Sequence, residues 1–107
     1  MKILTHLSKE KINSIVQLEE SYNFKIDIDN KKYDATLYGY PIKHRAFGRI
    51  LNSKIKIKNI SFEDMSILNF QVGQEVKIDD EDYYVTNIDI EASFFYKKAE
   101  VTALKTK

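Results

Sequence analysis

The sequence predicts a mainly β protein: a small antiparallel β-sandwich or barrel of about six strands with one N-terminal helix. Three observations predict this fold. Apolar and polar residues alternate with a period of two over most of the chain, and turn-forming residues separate the alternating runs at short intervals. Helical spacing of apolar residues is clear only in residues 8–21. The 107 residues suit a single domain, 1–107, with one modest core.

Composition narrows the class of protein. Hydrophobic residues make up 43% of the chain and charged residues 31%, which is typical of a globular protein. The absence of cysteine excludes a disulfide framework and thiolate metal sites. No apolar run is long enough for a membrane span or a signal peptide, so a soluble intracellular protein is expected.

Residues 8–21, SKEKINSIVQLEES, are the helix candidate. Ser8 can cap the N-terminus, because its hydroxyl can accept a hydrogen bond from the first turn. Ile12, Ile15 and Val16 form a stripe on one side of the helix. We therefore expect an amphipathic helix that lies against one side of the sheet.

Residues 24–40 predict a hairpin, with a turn at residues 29–32 between two alternating runs. The following stretch, residues 41–53, breaks the alternation with Gly and Pro and is basic and aromatic. Segments of this kind inside a compact domain are usually functional or mobile. We expect a mobile loop or a long hairpin tip here; the alternative is that Ala46 to Leu51 extend the next strand.

The remainder, residues 54–105, predicts a β-section. KIKIKNI, residues 54–60, is a strand, and Ser61 can cap one short helical turn after it. Residues 71–90 form a hairpin around an acidic turn at 79–82, with Gly73 free to adopt a positive φ just before it. The inward side chains expected here and in the last strand are Tyr84, Ile88, Ile90, Ala99, Val101 and Ala103.

Charge is distributed unevenly along the chain, although the net charge is only +1. Residues 41–58 carry six basic residues and no acid, whereas residues 59–96 carry nine acids and one lysine. Such segregation can give a bipolar surface that favours contact between copies or with charged neighbours. Alternatively, folding interleaves the basic and acidic segments, so that their electrostatic fields cancel.

No pattern in the sequence indicates catalysis, a cofactor or a metal. The two histidines, His6 and His44, have no partner at a ligand spacing. The acidic run 79–82 lacks the glycine and the bidentate glutamate of a calcium loop. The serines lie outside any nucleophile motif, and no glycine loop could cradle phosphate. We therefore expect that the protein is not an enzyme and has no cofactor.

Binding of nucleic acid is an alternative function. The stretch from Lys43 to Arg49 interleaves cations with Phe47, and lysines 54, 56 and 58 line one face of a strand. A small barrel with such a strip can grip phosphates and stack bases. Against this, the neighbouring hairpin is strongly acidic and the pI is about 7.9. Any contact with DNA is therefore expected to be weak and non-specific.

The segment VGQEVKIDDEDYYVTNI, Val72 to Ile88, resembles a pattern of the head–tail joining proteins of tailed phages, particularly the lambda-type joiners. That pattern is glycine and an acid, a hydrophobic strand, a turn, and an aromatic-x-Val strand. The order of elements is similar over most of the chain, including KIKIKNISFEDMSILNF before the glycine. Here Gln74 stands in place of the acid, and the turn has no glycine.

The resemblance implies a connector subunit that forms a ring, a hexamer in this family, between the portal or adaptor proteins and the tail proteins. It implies the cytoplasm of the bacterial host and then the virion as locations, and a loop at 41–52 that becomes ordered on assembly. A rival of another class is a regulator or inhibitor encoded by a mobile element that acts by protein contact. The candidate interface residues are His44, Arg45, Phe47, Arg49, Phe94, Phe95, Tyr96, Asp79, Asp80, Glu81 and Asp82.

Among these candidates, Phe47 is the expected anchor, because aromatics among cations are typical of interface hot spots. Arg45 and Arg49 are expected to meet acids on a neighbouring copy, such as the 79–82 turn. For Phe95, a place in the core is an equal alternative.

Overall fold

The computed structural model describes residues 1–95 and 97–106, which form seven β-strands and two α-helices. The elements in order are β1 (Ile3–Leu4), α1 (Lys9–Gln17), β2 (Ser21–Ile28), β3 (Lys31–His44), β4 (Gly48–Ser61), α2 (Phe62–Leu68), β5 (Glu75–Ile78), β6 (Glu81–Ala92) and β7 (Lys97–Lys105). The predicted mainly β fold with an N-terminal helix is confirmed. Strand β1 was not predicted, because two residues are too few to show an alternation.

The strands close into a barrel in the order β1-β2-β3-β4-β7-β6-β5. Neighbouring strands are antiparallel except at the seam, where β1 runs parallel to β5. Ile3 lies opposite Ile28 on one side of the seam and opposite Ile78 on the other. Closure of the barrel at this seam removes two sheet edges that would otherwise attract other chains.

The core consists of the inward residues of the alternating strands. Fully burying a side chain of this size stabilises the fold by about 1.5–3 kcal/mol each. The largest completely buried side chains are Ile26, Ile28, Leu37, Ile55, Ile57, Ile60, Ile78, Val85 and Val101. The predicted burial of Ala99, Val101 and Ala103 on the last strand is confirmed.

Helix α1 covers one end of the barrel. The Ser8 hydroxyl accepts a hydrogen bond from the Lys11 N–H at 3.1 Å, as predicted, and Ile15 and Val16 are buried. The helix ends at Gln17 rather than at residue 21, because β2 already begins at Ser21 and pairs with β3. The predicted hairpin at 24–40 accordingly starts three residues earlier.

Helix α2 is the predicted short helical turn, and it covers the other end of the barrel. Strands β2 and β4 run in the same direction. Helix α1 precedes the start of β2 and α2 follows the end of β4, so the two helices lie at opposite ends of the barrel. Ser61 caps α2 by accepting the Asp64 N–H at 3.1 Å. Leu68 and Phe70 anchor the segment in the core.

The two short hairpins turn on two residues each, not on four as predicted. Asp29 and Asn30 have φ angles of 50° and 70°, and Asp79 and Asp80 have 52° and 64°. Two successive positive φ angles match the twist of the flanking strands, and Asn and Asp tolerate them. The last two residues of each predicted turn, including Glu81 and Asp82, therefore belong to strands.

In β6 the predicted inward face is partly wrong. Tyr83 and Val85 are buried, whereas Tyr84 is half-buried on the outside and Ile90 is 65% exposed. A bulge between Val85 and Asn87 shifts the register against β7. The shift resets the alternation, so that Ile88 packs against the core as predicted.

The predicted loop at 41–53 is a long hairpin tip. Strands β3 and β4 stay paired as far as His44 and Gly48. Strand β2 pairs with β3 no further than Tyr38, and β7 pairs with β4 no further than Lys54. Residues 39–53, hereafter the ribbon, therefore extend beyond the barrel as two strands, in a molecule that measures 46 × 26 × 23 Å. Whether the ribbon is mobile stays a prediction.

Candidate interaction surfaces

The ribbon tip, residues 44–48, presents an exposed aromatic side chain between cations. Phe47 is 75% exposed, and its ring lies 4.8 Å from the imidazole of His44. The Ala46 N–H donates to Nδ1 of the same histidine at 3.2 Å, and Gly48 closes the turn with a φ of 74°. Arg45 is exposed beside them. The structure thus brings together His44, Arg45 and Phe47 as one exposed cluster.

Arg49 is engaged within its own chain. Its guanidinium donates to the Glu19 carboxylate at 2.5 Å, which fastens the ribbon to the turn after α1. An exposed pair of this kind contributes little stability, about 0.2–1 kcal/mol. A contact with an acid on a neighbouring copy would have to compete with Glu19.

The second tip, residues 93–95 between β6 and β7, is also aromatic. Phe94 is 96% exposed and Phe95 is 89% exposed, with their rings edge to face at 5.3 Å. A core role for Phe95 is therefore wrong. Tyr96 lies outside the described residues. Because β4 and β7 are antiparallel and each tip precedes one of them, the two tips lie at opposite ends of the molecule.

The four acids of the predicted turn are mostly used inside the chain. Asp79 accepts hydrogen bonds from the N–H of Thr5, at 2.9 Å, and from its hydroxyl. Its own N–H donates to the carbonyl of Ile3 at 3.0 Å. Asp79 therefore closes the barrel seam and is not a surface acid available to a neighbour.

The other three acids lie nearer the surface. Glu81 has Lys9 and Lys105 at 3.6 Å. Asp82 accepts a hydrogen bond from Lys77 at 2.6 Å, which raises the pKa of the lysine above its ordinary value. Asp80 is exposed at the turn. The turn is acidic, but its charge is largely balanced within the subunit.

A groove of about 600 Å³ lies between the ribbon and the outer face of the barrel. Three of its lining residues, Lys54, Leu104 and Tyr84, are cross-strand neighbours on β4, β7 and β6. Tyr38 lies opposite Lys54 on β3. The Lys54 ammonium lies 5.1 Å from the ring centroids of both Tyr38 and Tyr40. The sequence pattern indicated the lysines as candidate contacts for nucleic acid but not the tyrosines. The signal that could have indicated Tyr38 and Tyr40 is their period-two spacing, which is typical of an outward face.

The described residues contain no cluster of three or more His, Cys, Asp or Glu side chains that could hold a metal ion. His6 contacts the carboxylate of Asp27, and Lys32 donates to the other oxygen of that carboxylate at 2.9 Å. Hydrogen bonds from Lys32 and then His6 hold the pKa of Asp27 below its usual value. This exposed histidine thus contacts a carboxylate on the barrel wall. His44 instead belongs to the ribbon tip.

Comparison of the chain with protein-family models, with curated proteins and with solved structures finds no match in any of the three. Across the described ranges, no helix is both long enough and apolar enough to cross a membrane. Function therefore has to be inferred from the surfaces of the molecule itself.

Proposed function

We propose that this protein is a structural connector subunit that joins the head and tail of a phage particle as part of a ring. The observation that carries the proposal is the pair of exposed aromatic tips, Phe47 at one end and Phe94–Phe95 at the other, on a subunit 46 Å long. A joint must bind two different partners at its two ends, and each end here has its own docking element. The resemblance of Val72–Ile88 to the joining proteins supports the same proposal.

The chemistry of the tips fits docking to protein. Exposed aromatic side chains that enter a pocket on a partner supply most of the binding energy in many interfaces. Arg45 beside Phe47 adds a planar cation that can pair with carboxylates. The two tips differ in charge and in sequence, so each would recognise a different partner: the portal or adaptor proteins on one side, and the tail proteins on the other.

The experiment is a complementation assay for joining of heads to tails, scored by electron microscopy of the particles. One variant carries Arg45→Ala, Phe47→Ala and Arg49→Ala, and another carries Phe94→Ala and Phe95→Ala. We expect separate heads and tails with either variant, each blocked at a different step. The control is Lys25→Ala on the barrel wall, where joining should persist. If particles made without the protein still join heads to tails, the proposed function fails; if both tip variants still join them, the tips are not the docking elements.

The groove favours a second candidate function, binding of single-stranded nucleic acid. Lys54 between Tyr38 and Tyr40 offers a cation and two aromatic faces within one site. Affinity would be non-specific and would fall steeply with salt, because phosphate contacts dominate. Titration of a labelled oligonucleotide against wild type and Tyr38→Ala with Lys54→Ala tests this. Binding by the wild type that falls with salt and is lost in the double variant would favour this function over the connector.

A further inference from the structure

Two segments of the barrel have open backbone edges. The β5–β6 pairing ends at Tyr84, and backbone hydrogen bonds from residues 73 and 74 extend it only to Val85. In the described part of the chain, no strand pairs with residues 86–92 on the side away from β7. The ribbon is likewise open on both sides. Unpaired backbone N–H and C=O groups on such edges are templates for a strand from another chain.

The two open segments carry opposite charge. The ribbon contains Lys43, Arg45 and Arg49 and no acid. Residues 86–92, hereafter the β6 edge, contain Asp89 and Glu91 and no base. Glu91 lies opposite Lys98 on β7, whereas Asp89 lies opposite another acid, Glu100. Lys56 lies 3.6 Å from Glu100, so Asp89 is the acid of the β6 edge that has no basic residue directly opposite it on β7.

These charges select between the possible pairings of two copies. Pairing of a ribbon with a ribbon, or of a β6 edge with a β6 edge, would place like charges side by side. Pairing of a ribbon with a β6 edge places opposite charges side by side. It also covers two partly exposed isoleucines, Ile50 at 39% and Ile90 at 65% exposed.

We propose that the ribbon of one copy pairs with the β6 edge, residues 86–92, of the next copy and extends its sheet. This rests on the proposed function and names the contact between subunits of the ring. The two surfaces differ, so the contact is heterologous and can continue from copy to copy, as a ring requires. An edge that paired with itself would stop at a dimer. Charges on open edges can also serve only to prevent pairing between copies. Cross-linking of two copies distinguishes pairing from prevention of pairing.

The test uses the absence of cysteine from the chain. Ile50→Cys and Ile90→Cys are made in separate chains, one of them lengthened by a tag so that the products differ in mass on a gel. Neither substitution removes a charge. Equal amounts are mixed and treated with a short bifunctional thiol reagent, which tolerates a small shift in register. We expect the ratio of mixed product to self-linked products to be about tenfold higher than random linking would give. This excess should fall in high salt, because salt screens the attraction between the charges.

Two further variants serve as controls. Asp89→Lys in the Ile90→Cys chain should abolish the excess of mixed product, and Lys43→Glu with Arg45→Glu in the other chain should restore it. Gln17→Cys, exposed on α1, should give only random products with either chain. The proposal is overturned if the Ile50→Cys and Ile90→Cys pair links no more than the Gln17 control, which is the result if the charges only keep copies apart. It is also overturned if either self-linked product predominates.

The outcome is separable from that of the proposed function. If the mixed product is absent and the tip variants still block joining, the connector function stands and this contact falls. If the mixed product forms and particles made without the protein still join heads to tails, self-association stands and the head–tail function falls.

Discussion

The two halves of the β3–β4 hairpin are made of the same two strands, yet they differ in what surrounds them. In the inner half, residues 31–38 and 54–61, both strands are flanked by β2 and β7, and one face is buried in the core. In the outer half, the ribbon, neither strand has a flanking strand. An isolated two-stranded hairpin is marginally stable in water. One continuous hairpin thus supplies the core at one end and a surface available to partners at the other.

The largest expected difference between the halves is in stability, and it can be measured on a single strand. Ile57→Ala in the inner half removes a side chain that is 1% exposed and should lower the free energy of unfolding by about 2–5 kcal/mol. Ile50→Ala in the outer half should cost less than about 1 kcal/mol. Urea denaturation followed by circular dichroism measures both. Equal losses would mean that the ribbon is as much a part of the core as the barrel.

Native limited digestion with trypsin measures how easily each half of the hairpin opens. The ribbon offers Lys43, Arg45 and Arg49, and the inner half of the same strand β4 offers Lys54, Lys56 and Lys58. Cleavage in the ribbon requires only local opening, whereas cleavage in the inner half requires the barrel to unfold. We expect ribbon cleavage to be at least about a hundredfold faster, as read by mass spectrometry of early fragments. Protection of all three ribbon sites would contradict the predicted mobility.

At the border between the halves, Tyr83 contacts Ser53, and burial raises the pKa of this phenol to about 12. The folded pKa exceeds the unfolded value of 10.0, so this stability is complete below pH 10 and is lost as the pH rises toward 12. The expected loss is about 2–3 kcal/mol. The Tyr83→Phe variant should not show this loss of stability at alkaline pH. Tyr84→Phe, on the outer face of the same strand, should lose stability as wild type does. An unchanged alkaline loss in Tyr83→Phe would contradict the assignment.

Gly39 marks the border on β3. A Cβ at this position would lie 2.6 Å from the Val16 carbonyl oxygen, a backbone atom of α1 that cannot move cheaply. Gly39→Ala should therefore destabilise the protein by about 1–3 kcal/mol, because the helix must shift away from the strand. In Gly48→Ala a Cβ would meet nothing within 4 Å, and only the φ of 74° opposes alanine, which costs about 1 kcal/mol. A smaller effect at Gly39 than at Gly48 would show that α1 is loosely packed.

The same contrast explains what could be predicted from the sequence. Where one face of a strand is buried, as at Ile55 and Ile57, alternation of apolar and polar residues revealed the strand and its inward side. Residues 43–50 of the ribbon are exposed on both faces, so nothing selects an alternation and this stretch resembles a loop in sequence. The bulge after Val85 is a local backbone choice with no residue signature, and it puts Tyr84 on the outer face although Ile88 faces the core as predicted. For the candidate surfaces, residue type was enough to indicate Phe47 and Phe94 as candidate interface residues. It could not indicate that Asp79 is hydrogen-bonded to Thr5, because that contact depends on closure of the barrel.

The smallest expected effect on stability belongs to the ribbon tip. The variant Arg45→Ala, Phe47→Ala, Arg49→Ala removes one mostly exposed ring and one exposed ion pair, Arg49 with Glu19. Both losses are small, so the total should stay below about 1 kcal/mol and the melting temperature should hardly change. The matched variant Phe94→Ala, Phe95→Ala at the other tip should behave alike.

Stability and joining are expected to separate in the tip variants, because exposed residues contribute to binding without contributing to folding. A thermal melt and the head–tail complementation assay on the same preparation measure both. If the triple variant unfolds, Phe47 or Arg49 supports the barrel, and the outer half of the hairpin is structural after all. If it stays folded and still joins heads to tails, the ribbon tip is not the docking element, and the second tip remains as the candidate. If the triple variant stays folded and no longer joins heads to tails, the ribbon is a docking surface. The same two strands then form part of the core in their inner half and bind a partner in their outer half.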